Sequence, residues 1–227
     1  VFEPDQYQLV DFGDARKLER FGLYLLDRPC PAAEGLRQAN PEIWKTATAR
    51  YDRGDADRGR WTKLAKVPAN WTLSHEPFAL DLKLTPFGHV GVFAEQAASW
   101  DWIAGQAARA ARPLRVLNLF AYTGGSSLAA AAAGCEVTHV DAAKNVVAWA
   151  RSNAAQSGLQ DAPIRWITED AVRFVARELR RGNSYDAVIM DPPSYGHGPK
   201  GEVWKMGHGL VPLLEACGQL TKSRRAF

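Results

Sequence analysis

The stretch Val116-Leu117-Asn118-Leu119-Phe120-Ala121-Tyr122-Thr123-Gly124-Gly125-Ser126-Ser127, followed by alanines up to Gly134, constrains this chain more than any other. It opens as an apolar run with the look of a buried strand. Two glycines then make a turn, Ser126 and Ser127 can cap a helix, and Leu128 to Ala133 are strong helix formers. Strand, glycine turn and helix in succession open a nucleotide-type α/β domain, whose ligand sits at the carboxyl end of the first strand.

The flanking chain fits that opening. Ala94 to Arg112 reads as a helix, with Trp100, Ile103 and Ala107 on one face, and Pro113 stops it. Four strand–helix units are expected after it. Their strands are Leu114–Leu119, Glu136–Val140 ending at Asp141, Ile164–Ile167 ending before Thr168-Glu169-Asp170, and Tyr185–Met190 ending at Asp191-Pro192-Pro193. The second helix runs from Ala143 to about Gln156, the third to about Arg181, and the fourth over Leu210–Leu220 after a loop from Ser194 to His208. Regular alternation of this kind predicts a Rossmann-like α/β fold with a parallel sheet and right-handed crossovers.

Residues 1–93 read as a separate β-rich region, leaving 94–227 for the α/β domain. Gln6–Asp11 and Leu18–Leu26 are expected strands joined at Gly13-Asp14. Asp27 to Pro31 is expected to be a loop, because two prolines deny the backbone its donors. Asn40-Pro41 begins a short helix. Thr46–Tyr51 and Gly59–Ala65 form one expected hairpin. Pro77–Thr85 and His89–Phe93, turning at Pro86-Phe87-Gly88, form another. Arg50, Arg53, Arg58, Arg60, Lys63 and Lys66, interleaved with Tyr51, Trp61 and Trp71, read either as a nucleic-acid face or as a solvated hairpin balanced by Asp52, Asp55 and Asp57.

The turn after the first strand narrows the ligand. A dinucleotide site wants G-x-G-x-x-G so that the backbone can approach a pyrophosphate. Here Phe120, Ala121, Tyr122 and Thr123 precede the first glycine and fill that space. Close approach at Gly124-Gly125 without a phosphate nest suits an adenosyl ligand such as S-adenosylmethionine. Asp141 follows Gly124 by 17 positions at a strand's carboxyl end, where a carboxylate either accepts from both ribose hydroxyls or caps the next helix. Asp170 is the candidate for the adenine amino group and also a candidate N-cap. After the fourth strand, Asp191-Pro192-Pro193-Ser194-Tyr195 is stiffened by two prolines, so Asp191 and nearby carbonyls present one geometry to the crevice, and Tyr195 offers a face for a flipped base. The segment Gly196–Gly209 reads as a substrate loop. His75 and His139 read as packing or surface residues.

Composition sets outer limits. The 227 residues are 46% hydrophobic and 23% charged, ordinary for a globular protein. A net charge of +3 permits an anionic partner such as RNA without requiring one. Cys30, Cys135 and Cys217 lack metal-site spacing, so no metal is expected and reduced thiols in a cytoplasmic protein are. No apolar run approaches membrane-spanning length, and Val1-Phe2-Glu3-Pro4-Asp5 lacks signal-peptide character.

Taken together, Asn118 to Gly125, Asp141, Glu169-Asp170 and Asp191 to Tyr195 resemble the class I S-adenosylmethionine-dependent methyltransferases. More narrowly, they are similar to the large-subunit rRNA methyltransferases that modify cytosine C5 or guanine N7. The resemblance covers about residues 76–220. Gly91-Val92-Phe93-Ala94-Glu95-Gln96 is similar to that group's G-F-F-x-D-Q-R element. Gln96 thereby joins the implied cofactor residues Asn118, Phe120, Tyr122, Gly124, Gly125, Asp141, Asp170 and Asp191, while Ala97 stands where the group has arginine. The resemblance implies Asp191, Pro192, Pro193 and Tyr195 at the acceptor, rRNA as the partner, and methyl transfer from S-adenosylmethionine. It also implies a seven-stranded sheet, of which four strands are counted, so the chain is expected to be shortened at its C-terminus. Cytosine-C5 chemistry needs a thiolate, and Cys30, Cys135 and Cys217 do not occupy its place. A nicotinamide oxidoreductase and a non-catalytic module of the same fold remain as alternatives.

Overall fold

The computed structural model describes residues 1–54, 58–197, 201, 203–223 and 225–226. The chain divides into two compact units, Val1–Ala97 and Ala98–Phe227.

The first unit holds a five-stranded sheet of β1 (Tyr7–Gly13), β2 (Arg16–Phe21), β3 (Tyr24–Pro29), β4 (Ala49–Arg53) and β5 (Gly59–Lys63), paired in that order. Only β3–β4 is parallel, and the crossover between them carries α1 (Pro41–Trp44). The β1–β2 turn is a two-residue loop with Asp14 and Ala15 both at positive φ, the form whose twist matches a hairpin. The expected strand Leu18–Leu26 is broken by another two-residue loop at Gly22-Leu23, in which Gly22 takes φ 59°. The expected loop at Asp27 to Pro31 is mostly strand. β3 runs through Asp27 and Arg28, and Pro29 occupies its last position, where a missing donor costs least. Leu18, Leu25 and Ala47 pack with Val10, Ile43 and Trp44. Asp11 locks the crossover by accepting from the Ala39 and Asn40 backbone N–H groups and from Trp44 Nε1.

The expected β4–β5 hairpin forms, and residues 55–57 of its loop lie outside the described residues. The other expected hairpin pairs differently. β7 (Phe78–Leu82) joins β6 (Trp71–His75) across Glu76-Pro77, and His89–Phe93 forms no strand. A tight turn at Thr85–Gly88 does form, with Thr85 N–H donating to the His89 carbonyl.

The expected helix over 94–112 is shorter, and the second unit begins within it. A 3-10 turn at Ala94–Gln96 leads into α2 (Ala97–Ala108), with Trp100, Ile103 and Ala107 buried as expected. Then follow β8 (Arg115–Leu119), α3 (Gly125–Ala132), β9 (Glu136–Asp141), α4 (Lys144–Gln156), β10 (Ile164–Thr168), α5 (Ala171–Arg180) and β11 (Ala187–Met190). The sheet is fully parallel in the order β10-β9-β8-β11. Successive strand residues alternate between two cores, as a sheet covered on both faces requires. Val116, Val137 and Ala187 pack with Ile103 and Cys135 on one side. Leu117, Leu119 and Val140 pack with Phe174, Trp204 and Cys217 on the other. Both Cys135 and Cys217 are therefore core residues, and burial pushes the Cys217 thiol up to about 12.

The expected loop after Ser194 contains a hairpin of β12 (Tyr195–His197) and β13 (Val203–Lys205), and α6 (Met206–Thr221) begins earlier than Leu210. No helix among the described residues is long and apolar enough to cross a membrane.

Candidate active site

Strand order decides where a ligand can sit. Starting from β8 the chain adds β9 and β10 on one side, then crosses to add β11 on the other. An open α/β sheet leaves a crevice at such a reversal, outside the strands' carboxyl ends. Parallel register brings those ends level, because Leu119 pairs with both Val140 and Met190, and Asp141 pairs with Thr168. The residues just beyond are Phe120, Asp141, Glu169-Asp170 and Asp191. Four sequence-predicted site elements thus share one edge.

The β8–α3 turn is strained. Phe120 and Tyr122, neither a glycine, take φ 53° and 49°, and Gly124 takes φ 96°. Each non-glycine residue held there costs on the order of 1–3 kcal/mol, so the surroundings must enforce it. They do: Ala121 N–H donates to the Val140 carbonyl at 3.1 Å, and Tyr122 N–H to Asp141 Oδ2 at 2.9 Å. Ser126 and Ser127 do not cap α3, whose N-cap is Gly124 with no side-chain cap. Gly124 is closely packed, since a Cβ there would lie 3.1 Å from the Ala150 Cβ. A Cβ on Gly125 would lie 2.4 Å from Trp100 Cζ2, so this glycine serves the approach of α2.

Asp141 is half-buried. Its second oxygen accepts from Ala143 N–H at 2.9 Å, at the start of α4, so the expected capping contact is made. A carboxylate has about four acceptor positions. Two are used, one on each oxygen, which leaves one on each for a vicinal diol. Burial raises its pKa, and the N–H groups of Ala143 and Tyr122 act against that rise. Asp170 caps α5, accepting from Arg173 N–H at 3.0 Å.

Asn118 is placed differently from a direct contact. It is buried in β8, and its amide donates to Ser127 Oγ at 2.9 Å. Ser127 Oγ lies 3.0 Å from His139 Nδ1. The serine oxygen receives the amide proton, and the direction of its hydrogen bond with Nδ1 follows the imidazole tautomer. The Nε2 atom is buried without a partner, and burial lowers the His139 pKa to about 3. His139 also stacks on Trp166, with centroids 4.8 Å apart. Asn118, Ser127 and His139 form a neutral polar support beneath the strained turn. In the sequence His139 reads as a packing or surface residue and Ser127 as a possible helix cap. Their convergence depends on Asn118 and His139 being register partners on neighbouring strands, which no local pattern reveals.

Beyond β11, Asp191, Pro193 and Tyr195 are exposed and Pro192 is half-buried. The β12–β13 hairpin anchors this segment. Trp204 Nε1 donates to the Pro193 carbonyl at 2.6 Å, and its ring packs on Phe120 with centroids 5.0 Å apart. One tryptophan therefore touches both the β8–α3 turn and the Asp-Pro-Pro segment, a contact that no local sequence pattern signals. Trp149 was also missed; it lies 6.5 Å from Tyr122, ring to ring. Gln96 belongs to the first unit and closes its 3-10 turn, its N–H donating to the Phe93 carbonyl at 3.1 Å. Residues 198–200 of the expected substrate loop lie outside the described residues.

The family model for S-adenosylmethionine-dependent methyltransferases matches residues 49–204. The chain belongs to this family. S-adenosylmethionine is accordingly its cofactor, and the oxidoreductase alternative finds no support. The ribosomal RNA large subunit methyltransferase K/L of Shewanella sp. (strain W3-18-1) is 33% identical over 208 residues, covering 87% of this chain and 28% of the relative. The ribosomal RNA large subunit methyltransferase I of Klebsiella pneumoniae (strain 342) is 34% identical over 82 residues, covering 36% of this chain and 20% of the relative. The chain thus spans 28% and 20% of these relatives' length. The crystal structure of a SAM-dependent methyltransferase from Agrobacterium tumefaciens is 43% identical with a TM-score of 0.90, covering 95% of this chain and 69% of that one. A structure from Streptococcus mutans, 19% identical with a TM-score of 0.75 and coverage of 95% and 58%, shares the fold.

Proposed function

We propose that this chain transfers a methyl group from S-adenosylmethionine to a nucleobase of rRNA. The observation that carries the reading is the level row of Phe120–Gly124, Asp141, Asp170 and Asp191 at the strand ends, on both sides of the order reversal. The rRNA methyltransferases among its relatives supply the acceptor class.

The donor set fits an adenosyl group. Asp141 keeps two acceptor positions for ribose hydroxyls, and Asp170 stands beside it for the adenine. The bulky Phe120 and Tyr122, held at positive φ, shape a floor without a phosphate nest, together with Gly124 and Gly125. Asn118 acts from below through Ser127, and Gln96 completes the set inferred from the family motif. When bound, the cofactor supplies a methyl group already activated on a sulfonium, so the protein's task is position and exclusion of water. Asp191, Pro192, Pro193 and Tyr195 would face the acceptor base, with Tyr195 as its stacking surface. Functionally we divide the chain at 93/94 and place it in the cytoplasm, where rRNA is modified.

Tritiated-methyl transfer to undermodified rRNA, followed by nucleoside identification, tests this. One labelled nucleoside is expected. Label confined to protein or small molecules, or none at all, overturns the acceptor assignment.

A further inference from the structure

We propose that a pocket in the N-terminal unit, walled by β2, β3, β4 and residues 86–95, binds one nucleotide unit of single-stranded RNA, its phosphate on Lys17, Arg28 and Arg53 and its base against Phe87. The identity of the strand as RNA rests on the acceptor proposed above.

The cations come from three strands, so no sequence window shows them together. Lys17 and Arg28 are register partners across β2 and β3, and Arg53 ends β4. All three line a cavity of about 180 Å³ with Tyr51, Phe87, His89 and Glu95 among its other walls. This volume is below the roughly 300–1,000 Å³ of clefts that enclose a drug-sized ligand, and it suits one unit of a longer chain.

Arg28 is built in rather than draped over the surface. Its side chain is 11% exposed. Nε and one terminal nitrogen donate to Glu19, and the other terminal nitrogen donates to the Gly88 carbonyl. A guanidinium has five N–H groups, so two remain. Lys17 reaches the same Glu19 at 3.0 Å and keeps two of its three protons. Counting Glu19 beneath and Glu95 at the rim, three cations face two carboxylates, and the pocket is net positive. His89 reports that field: its pKa is lowered first by burial, then by repulsion from Arg28, Arg53 and Lys17.

The aromatic wall is equally fixed. Tyr51 donates its hydroxyl proton to the Pro86 carbonyl at 2.9 Å. Gly88 sits at φ 79°, and a Cβ there would lie 2.5 Å from Tyr51 Cε1. The turn that presents Phe87 is therefore pinned, yet Phe87 itself is 52% exposed. Cations beside an exposed aromatic ring are what unspecific single-strand binding requires. The hairpin's other charges divide differently. Arg50 is occupied by Asp52 at 3.0 Å and Asp27 at 3.6 Å, so the balanced, solvated reading holds there.

The test uses the full chain and a short fluorescent oligouridine, with affinity measured across a salt series. Lys17→Ala and Arg53→Ala should each flatten the log–log salt slope by about 0.7, the value for one single-strand phosphate contact. Phe87→Ala should weaken binding by about 5- to 150-fold with the slope unchanged. S-adenosylhomocysteine binding should stay at the wild-type value in all three, and an unchanged far-ultraviolet circular dichroism spectrum and urea midpoint certify that the N-terminal unit is folded. Unchanged oligouridine affinity and slope in the variants would overturn the pocket even if rRNA is methylated. Pocket-dependent binding without rRNA methylation would instead refute the acceptor assignment. Preference for an acidic oligoglutamate over oligouridine would overturn the RNA assignment of the pocket.

Discussion

Asp141→Asn separates the two readings of that carboxylate, ribose holder or cap. The side chain keeps its shape but exchanges one acceptor oxygen for an NH2 group. Wild-type Asp141 accepts from Tyr122 N–H and Ala143 N–H, each at 2.9 Å, one on each oxygen. The amide can keep only one of these and faces the other donor with a donor. It likewise offers a ribose one acceptor atom where the carboxylate offers two. A hydrogen bond to a charged group contributes about 1.5–3 kcal/mol. Losing one on the ligand side therefore weakens binding by about 10- to 150-fold. Stability should fall less, because removing a half-buried charge recovers desolvation, the same burial that raises the Asp141 pKa. Calorimetric titration with S-adenosylhomocysteine, alongside urea denaturation, measures both. Affinity within twofold of wild type, with stability reduced, would show that Asp141 only caps and that the ribose assignment is wrong.

Trp204→Phe removes the donor to Pro193 and retains an aromatic ring for Phe120. It should lower kcat by about 2- to 12-fold, the worth of one hydrogen bond, with S-adenosylhomocysteine affinity within twofold; equal losses in both would contradict a role centred on the Asp-Pro-Pro segment. Gly125→Ala places a methyl group 2.4 Å from Trp100 Cζ2 and should destabilise by about 1–3 kcal/mol in urea melts. Trp100→Phe should recover part of that loss, and strictly additive losses would refute the packing explanation. His139 has a folded pKa of about 3, below its unfolded value near 6.5. The unfolded chain therefore binds more protons between those values, and stability falls as pH drops through that window by about 1.4 kcal/mol per pH unit. His139→Gln should show a shallower dependence, and an unchanged slope would place the titration elsewhere.

The second unit was legible because each of its strands is short, apolar and closed by a distinctive residue. Phe120, Asp141, Glu169-Asp170 and Asp191 were located from local spelling alone, and parallel alternation supplied their common edge. What stayed hidden depends on register between strands. Asn118, Ser127 and His139 meet only because β8 and β9 align. Trp204 reaches Phe120 and Pro193 only through a hairpin within a segment that reads as loop, since Tyr195–His197 and Val203–Lys205 are too short for a periodic signal. The first unit was harder for the same reason. Trp71–His75 alternates, but nothing local says that it, rather than His89–Phe93, pairs with Phe78–Leu82. Gly22 also ends a strand that its hydrophobic neighbours would extend.

The central claim is that the crevice beside β8 and β11 holds an adenosyl ligand by its ribose and adenine. A crystal structure of the chain with S-adenosylhomocysteine tests it most directly. Both ribose hydroxyls should donate to Asp141, with the adenine beside Asp170, the sulfur toward Asp191–Pro193, and Phe120 and Tyr122 still at positive φ. Ligand bound elsewhere, or an Asp141 that touches only the Tyr122 and Ala143 N–H groups while ligand is bound, would contradict it.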